Sequence, residues 1–193
     1  MILAVLVATA ARAECYKGVG PLDTLADLRG RFPGATFERL VPAWAQESDV
    51  MYSIVGKGMS GTMVVMFADY RPYWRDRLAA TTDSSQVAFL RSLAEAADDD
   101  VGVRWVRWIP EAPIPLDRFI TKYGTPETSG FGDEDMRPYK HWVSRGLVAY
   151  LNDAGESVTT IDFEFTRADS QQAWMTKYGF IPEALERERP SHQ

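Results

Sequence analysis

Residues 101–109 read VGVRWVRWI and are followed at once by Pro110. Apolar and β-favouring side chains occupy both alternating sets of positions in this stretch: Val103, Trp105 and Ile109 in one set, Val106 and Trp108 in the other. A strand that is apolar on both faces is typical of the middle of a sheet, where other elements cover it from two sides. We therefore predict a central strand here, covered on both faces, around which the other elements are arranged.

The composition is that of a globular protein. The chain has 193 residues, of which 46% are hydrophobic and 25% charged, enough for one sizeable core or two small fused ones. The formal net charge is −6, and the lysines and arginines are scattered. Proteins that bind nucleic acid usually carry a basic stripe, so we expect no nucleic-acid partner.

The first 13 residues, MILAVLVATAARA, have the pattern of an export signal. An apolar run over residues 2–11 leads into Ala11-Arg12-Ala13, which fits an A-x-A cleavage site, although no Lys or Arg precedes Ile2. The run is too short to span a bilayer. We predict a signal peptide over residues 1–13, a periplasmic or secreted mature protein, and no transmembrane segment after its removal.

Cys15 is the only cysteine, so an internal disulfide is impossible. Its neighbours Arg12 and Glu14 do not fit a lipidation site. An odd thiol near the start of the mature chain could pair between molecules. The simpler interpretation, which we prefer, is a frayed and inert terminus.

Two stretches of the chain follow one plan. LDTLADLRGRF after Pro21 and LDRFITKY after Pro115 both have the spacing of an amphipathic helix. Two glycine-turned hairpins follow, over residues 51–69 and 147–166, with the same spacing from Val55 to Phe67 as from Leu151 to Phe163. The sequence therefore predicts an internal repeat, chance similarity of α+β segments being the alternative.

Helical patterns surround the second copy. Residues 72–97 form a helical insertion between the copies, and a closing helix begins after Thr166. We predict repeat one over residues 14–110, repeat two with the closing helix over 111–180, and a flexible tail over 181–193. The expected fold class is α+β, built from two helix-plus-antiparallel-sheet repeats with the helical insertion between them.

Four motifs carry a resemblance to known families. PLD-x-L at 21–25, PLD-x-F at 115–119 and the glycine hairpins resemble the tandem helix-plus-antiparallel-sheet design of the secreted β-lactamase inhibitor proteins. The same outline is similar to the small helix–strand lipoproteins of outer-membrane assembly, but their lipid-bearing cysteine is not reproduced. The run WVRWIP at 105–110 resembles a family of uncharacterised secreted bacterial proteins. These resemblances imply a fold and no activity.

The residues that usually build a catalytic centre are scarce. His141 is the only histidine outside the tail, and with one terminal cysteine it cannot complete a typical zinc site. A Ser-His-Asp triad would depend on His141 alone, and no G-x-S-x-G or G-x-G-x-x-G motif occurs. The acidic groups at 98–100 and 133–135 lack the ligand spacing of a calcium loop, so we interpret them as solvated turns. We expect no cofactor or metal, and His141 as a strand residue in a half-exposed sheet.

Asp162 and Glu164 are the one carboxylate pair that deserves an enzymatic hypothesis. They fall on one face of a strand, while Ile161, Phe163 and Phe165 fall on the other. A carboxylate-dependent hydrolase using Asp162 and Glu164 is therefore the alternative function. The simpler interpretation is an outward-facing polar strand.

Several apolar residues predict a binding surface instead. Val64 and Met66 occupy the positions in repeat one that match the Asp162–Glu164 face, and an exposed apolar sheet face marks a partner site. Folding of residues 72–97 over that face is the competing expectation. Tyr73, Trp74 and Trp142 lie beside loops or charges, and a carbohydrate-binding groove lined by both tryptophans is a further alternative. Our leading hypothesis is an exported, soluble, non-enzymatic binding module whose partner is another exported protein.

Overall fold

The computed structural model describes residues 16–41, 50–97, 101–132 and 136–182. The predictions for the signal peptide, Cys15, the acidic groups at 98–100 and 133–135, and nearly all of the tail fall outside these residues. Within them the chain forms five α-helices and nine strands in one antiparallel sheet, so the predicted α+β class is confirmed. None of the helices in this part of the chain is both long enough and apolar enough to cross a membrane.

The helices and strands alternate in blocks along the chain. The helices are α1 (Leu25–Arg31), α2 (Arg71–Ala80), α3 (Ser84–Ala94), α4 (Leu116–Tyr123) and α5 (Arg167–Tyr178). The strands are β1 (Thr36–Leu40), β2 (Val50–Val55), β3 (Gly61–Ala68), β4 (Gly102–Pro110), β5 (Ile114–Pro115), β6 (Thr128–Gly132), β7 (Arg137–Trp142), β8 (Leu147–Leu151) and β9 (Ser157–Glu164).

The strand order of the sheet is β1-β2-β3-β4-β9-β8-β7-β6, and the short β5 pairs with β9. Of the eight strands in this order, β1–β4 follow α1 and β6–β9 follow α4, and the two sets meet where β4 pairs with β9. The hairpins that the sequence spacing matched do not have equivalent places: β2 and β3 are the second and third strands after α1, whereas β8 and β9 are the third and fourth after α4. The internal repeat and the domain boundaries stay predictions.

The central strand of the sheet is β4, as residues 101–109 predicted, but among the described residues helices α1 and α4 pack on one of its two faces only. Arg104 is an extra residue opposite the Met66/Phe67 step of β3, and this bulge turns Val103 to the same side as Val106 and Trp108. The other side of β4 carries Trp105, Arg107 and Ile109. The prediction of two covered faces was wrong because a bulge breaks the two-residue period that the prediction assumed.

Helices α1 and α4 lie on the covered face of the sheet. Leu25 and Leu28 of α1 and Phe119 of α4 belong to the same buried cluster as the inward side chains of the strands. The strand members of this core include Val50, Ile54, Met63, Val65, Phe67, Val106, Leu147, Ala149, Leu151, Ile161 and Phe163. Within each strand these residues are an even number of positions apart, which is the alternation that a half-buried strand requires.

The remaining helices form a second, smaller core. Trp74 of α2, Leu90 and Ala94 of α3 and Trp174 of α5 pack together with Leu22. Val64 and Met66 belong to neither core, and Phe89 of α3 is 42% exposed. The expectation that residues 72–97 cover Val64 and Met66 was therefore wrong, because periodicity shows that a helix face is buried but not what it is buried against.

Side-chain caps fix the ends of the helices that the sequence predicted best. Thr24 and Asp27 form a reciprocal capping box at the start of α1, and Thr166 and Asp169 form another at the start of α5. Helix α5 ends at Gly179, whose φ of 76° places it in the left-handed region. Both capping pairs satisfy backbone amides that a helix start would otherwise leave without a partner.

The chain is anchored in the main core from its first described residue. Tyr16 is buried, and its ring lies 5.1 Å from that of Trp108 and 5.9 Å from that of Phe163. Lys177 near the end of α5 donates a hydrogen bond from Nζ to the carbonyl oxygen of Leu22 at 2.8 Å. The start and the end of the described chain are thus tied together.

Candidate functional site

The face of the sheet opposite α1 and α4, which we call the open face, carries side chains of two kinds. In β2 and β3 these are mostly apolar, whereas β4, β9, β8 and β7 contribute aromatic rings, arginines and carboxylates. Strand alternation decides which side chains belong to the open face, because every residue in register with Val64 or Met66 lies on the same side of the sheet. Across the sheet these residues include Met51, Ser53, Val64, Met66, Trp105, Arg107, Ile109, Thr160, Asp162, Glu164, Val148, Tyr150, Tyr139 and His141. Four of them are buried: Met51, Val148, Thr160 and Asp162.

An ion pair lies at the centre of the open face. Arg107 Nε and Nη2 donate to the two carboxylate oxygens of Asp162 at 2.6 and 2.8 Å, which is the bidentate geometry that holds a guanidinium most firmly. The side chain of Asp162 is 5% exposed and that of Arg107 is 26% exposed. The register places these residues directly opposite each other on β9 and β4. The pair therefore joins the two four-stranded halves of the sheet.

Aromatic rings extend this pair into a row across four strands. The Arg107 guanidinium carbon lies 4.8 Å from the ring centroid of Trp105 and 5.4 Å from that of Tyr150. On the other side of Tyr150, the guanidinium carbon of Arg137 lies 5.6 Å from the same ring, and Tyr139 is 6.3 Å away. Cation–π contacts of this kind are worth about 0.5–1 kcal/mol each at exposed sites. We call these five residues the arginine–aromatic ladder.

The ladder borders directly on the apolar half of the face. Met66 is opposite Trp105 and Val64 is opposite Arg107, so the two surfaces share one strand boundary. Val64 and Met66 are partly buried, and Ile109 at the end of β4 is 40% exposed. Together they form a continuous surface of apolar and aromatic groups, in which the charges at the centre are already paired.

His141 and Glu164 lie on the same face beyond the ion pair. His141 Nε2 is 3.8 Å from a carboxylate oxygen of Glu164, and the two side chains are 25% and 51% exposed. His141 is a strand residue in a half-exposed sheet, as expected. At 3.8 Å the contact is too long for a hydrogen bond, and no base–nucleophile pair is formed by it.

Two of the predicted interface residues are buried instead. Trp142 lies in the main core, 5.1 Å from the Phe119 ring, and its Nε1 donates to the carbonyl oxygen of Gly124 at 2.8 Å. Trp74 lies in the helical core beside Trp174. The predicted carbohydrate groove lined by Trp74 and Trp142 is therefore wrong, because the two rings belong to different cores. Both tryptophans lie next to polar residues in the sequence, and the prediction took these neighbours as a sign that the rings are exposed.

Tyr73 is a third predicted interface residue, and it is partly buried. Its ring centroid lies 4.7 Å from that of Trp74, and the guanidinium carbon of Arg77 is 6.0 Å from it. It packs at the edge of the helical core, away from Val64 and Met66. The predicted interface set is thus divided among three places, and only Val64 and Met66 lie on the open face.

The geometry does not favour Asp162 and Glu164 as an acid/base pair. Both carboxylate oxygens of Asp162 accept hydrogen bonds from Arg107, and Glu164 is half exposed. A cavity of about 540 Å³ lies elsewhere, between the Gly20–Asp23 turn, α1 and α5. A general acid or base needs a free oxygen directed at a substrate pocket, which Asp162 lacks.

The polar groups of this cavity serve to hold the fold together. The backbone amide of Thr24 hydrogen-bonds to Asp27 and lowers the pKa of its carboxyl group. Asp23 accepts hydrogen bonds from the amide of Gly20 and from Arg31, and Lys177 donates to Leu22. These groups stabilise the start of α1 and its contact with α5.

The chain matches no family model, no curated protein and no solved structure. The resemblances stated from the sequence motifs therefore stay predictions, and the function has to be argued from the geometry of the open face.

The sequence pointed to Val64, Met66, Asp162 and Glu164 but missed the ladder. Arg107 and Asp162 are 55 residues apart, and no local pattern indicates that they face each other. The available signal was the alternation R-W-V-R-W over residues 104–108, which places Arg107 on the side opposite Val106 and Trp108. Together with the predicted alternation of β9, this pattern places Arg107 and Asp162 each on the side of its strand that points away from the apolar core.

Proposed function

We propose that this protein is an exported binding module that holds a folded partner protein against the open face of its sheet. The observation that carries the proposal is the row of adjoining, partly exposed side chains formed by Val64, Met66 and the arginine–aromatic ladder. The partner is another exported protein, and the face performs no chemistry on it.

The residue types of the open face support a protein partner. Interface cores are enriched in aromatic residues, methionine and arginine, and depleted in unpaired charge. The ladder consists of Trp105, Arg107, Tyr150, Arg137 and Tyr139, and Met66 adjoins it. Tyrosine, tryptophan and arginine are also the residues that most often dominate binding energy. Because contacts within the ladder already order these side chains, less conformational entropy is lost on binding.

The near-balance of charges on the open face argues against a nucleic-acid partner. On β4, β9 and β7 the open face carries Arg107 and Arg137 against the carboxylates of Asp162 and Glu164, and Arg104 at the bulge is a third, exposed arginine. An excess of a single positive charge gives little electrostatic attraction to a phosphate backbone, which proteins usually contact with several lysines and arginines. A largely neutral, apolar patch on a folded protein is the complementary surface.

Export is the second part of the proposal, and the position of the first buried residue is compatible with it. The described core begins at Tyr16, so cleavage after Ala13 would remove none of its side chains. We expect the mature protein, purified from outside the cytoplasm, to begin at Glu14 by N-terminal sequencing. A mature chain that still carries residues 2–11 would contradict export by this signal.

Site-specific photocrosslinking tests the binding surface. We expect a photoreactive amino acid at Val64 to give one discrete protein adduct in cells that produce the full chain. The same probe at Met175, an exposed apolar position on α5, should give none. Equal adducts from both positions, or none from Val64, would overturn the proposal.

A matched pair of glutamate substitutions makes this test specific to the face. Ile109→Glu puts an unpaired charge on the open face, whereas Phe89→Glu puts one on α3, and the two native residues are 40% and 42% exposed. We expect Ile109→Glu to reduce the Val64 adduct by roughly tenfold or more, because the charge must lose its hydration in the complex. Phe89→Glu should leave the yield unchanged. If both substitutions reduce it alike, the adduct does not report docking on the face.

A further inference from the structure

One edge of the sheet is left without a strand partner. β6 (Thr128–Gly132, sequence TSGFG) ends the strand order and pairs only with β7 among the described strands. Its residues 128–131 are exposed, and Phe131 is 56% exposed. The outer backbone N–H and C=O groups of such a strand are a template for pairing with another chain.

The opposite edge is protected and β6 is not. β1 (Thr36–Leu40, sequence TFERL) carries Glu38 and Arg39 in its middle. Charged residues on an edge strand are a common device against edge-to-edge pairing. β6 has no charged residue and no proline. The two edges therefore differ in the feature that discourages association.

The glycine at the centre of β6 is held in place by its neighbour strand. Gly130 is in register with Tyr139, and a Cβ atom at Gly130 would lie 2.7 Å from the Tyr139 hydroxyl oxygen. The tyrosine ring thus occupies the space above the glycine, as in the aromatic rescue of edge glycines. This contact covers the open-face side of the strand and leaves its outer edge free to pair.

We propose that β6 pairs antiparallel with β6 of a second copy of this chain, about a two-fold axis at Gly130. In this register Ser129 lies opposite the partner's Phe131, and Thr128 lies opposite the partner's Gly132. Each exposed Phe131 then packs beside a small side chain of the other copy. The pairing joins two eight-stranded paths into one continuous sheet.

A second copy fits this edge better than the other available strand. Pairing β6 with β6 is isologous and closes after two molecules. Pairing β6 with β1 of another molecule would generate an open-ended polymer, and it would place Glu38 and Arg39 beside an uncharged strand. In the closed dimer the two β6 edges are paired with each other, and only the two charged β1 edges remain exposed.

The association state of the full chain tests the proposal. A five-residue strand pairing is far below the area of a standard interface, so we expect a monomer–dimer equilibrium with a dissociation constant on the order of 10–100 μM. Sedimentation equilibrium should fit a monomer and a dimer and no larger species. A mass that stays monomeric up to about 1 mM would overturn the proposal, and so would a mass that grows beyond two chains.

A charge-complementation series identifies the strand and the register. Ser129→Glu and Phe131→Lys, made singly, should each weaken dimerisation by about tenfold, because each puts charge into the uncharged pairing. The double variant should recover most of the affinity, because each new carboxylate faces the partner's new ammonium group. Thr36→Glu on the exposed start of β1 is the matched control and should leave the dimer unchanged.

Circular dichroism of each variant confirms that the fold is retained. Failure of the double variant to recover the dimer would refute the proposed register. An equal loss with Thr36→Glu would refute the choice of β6. These outcomes are independent of the crosslinking at Val64, since β6 and the apolar half of the open face lie at opposite ends of the sheet.

Discussion

Replacing Trp142 with alanine is expected to lower the free energy of unfolding by about 3–5 kcal/mol. The side chain is 1% exposed and packs against Phe119 and Tyr123 of α4. Its removal leaves a cavity under α4 and takes away the hydrogen bond from Nε1 to Gly124. Urea unfolding followed by circular dichroism measures the change.

Trp142→Phe separates packing from the hydrogen bond. The smaller ring keeps part of the contact with Phe119 but has no N–H group, so we expect a loss of about 1–2 kcal/mol. A cost below about 1 kcal/mol for Trp142→Ala would mean that the residue is a surface anchor, as its sequence neighbours suggested, and would contradict its place in the core.

Replacing Arg107 with leucine is expected to cost about 3 kcal/mol. The reason is the unequal burial of the ion pair: Asp162 is 5% exposed, so its carboxylate cannot regain hydration when the guanidinium is removed. The variant also breaks the ladder between Trp105 and Tyr150. Chemical denaturation at neutral pH measures the loss.

Two further variants test whether the stability lost in Arg107→Leu comes from the buried Asp162 carboxylate that the substitution leaves without its guanidinium partner. Asp162→Asn should cost only about 1–2 kcal/mol, because Arg107 is 26% exposed and can direct its head group to water. The double variant Arg107→Leu/Asp162→Leu should come within about 1 kcal/mol of the native protein, since an apolar pair of this kind carries no desolvation cost. If the double variant is as unstable as Arg107→Leu, the stranded charge is not the cause.

The parts of the fold that the sequence predicted are those with local signals. Helices α4 and α5 are confirmed almost to the residue, because Gly124 and Gly179 stop them and Thr166 with Asp169 starts α5. The hairpins β2–β3 and β8–β9 were also predicted, since apolar alternation flanks a glycine-containing turn in each.

β6 and β7 lack such signals. β6 reads TSGFG and β7 reads RPYKHW, so neither has apolar alternation, and the extent of each is recognised only through its pairing with a neighbour. Of their residues only His141 was predicted to lie in a strand. The position of α2 and α3 was missed for a different reason. A buried stripe on a helix does not identify its partner, and here that partner is Trp174, far along the chain.

The candidate site depended on register, which one sequence does not supply. Val64 and Met66 could be assigned to one strand face from alternation alone. The contact of Arg107 with Asp162 required knowing that β4 pairs with β9, and where. The ladder was therefore beyond sequence reasoning, whereas the apolar half beside it was not.

The contact of Lys177 with Leu22 bridges 155 positions of the chain. Leu22 also packs against Trp174, so the helical core needs residues from both ends of the described chain. Because loop closure must precede contacts of such long range, we expect this core to be among the last parts to form. A polypeptide that emerges from the ribosome with its N-terminus first therefore cannot complete this core until the segment that carries Trp174 and Lys177 has appeared.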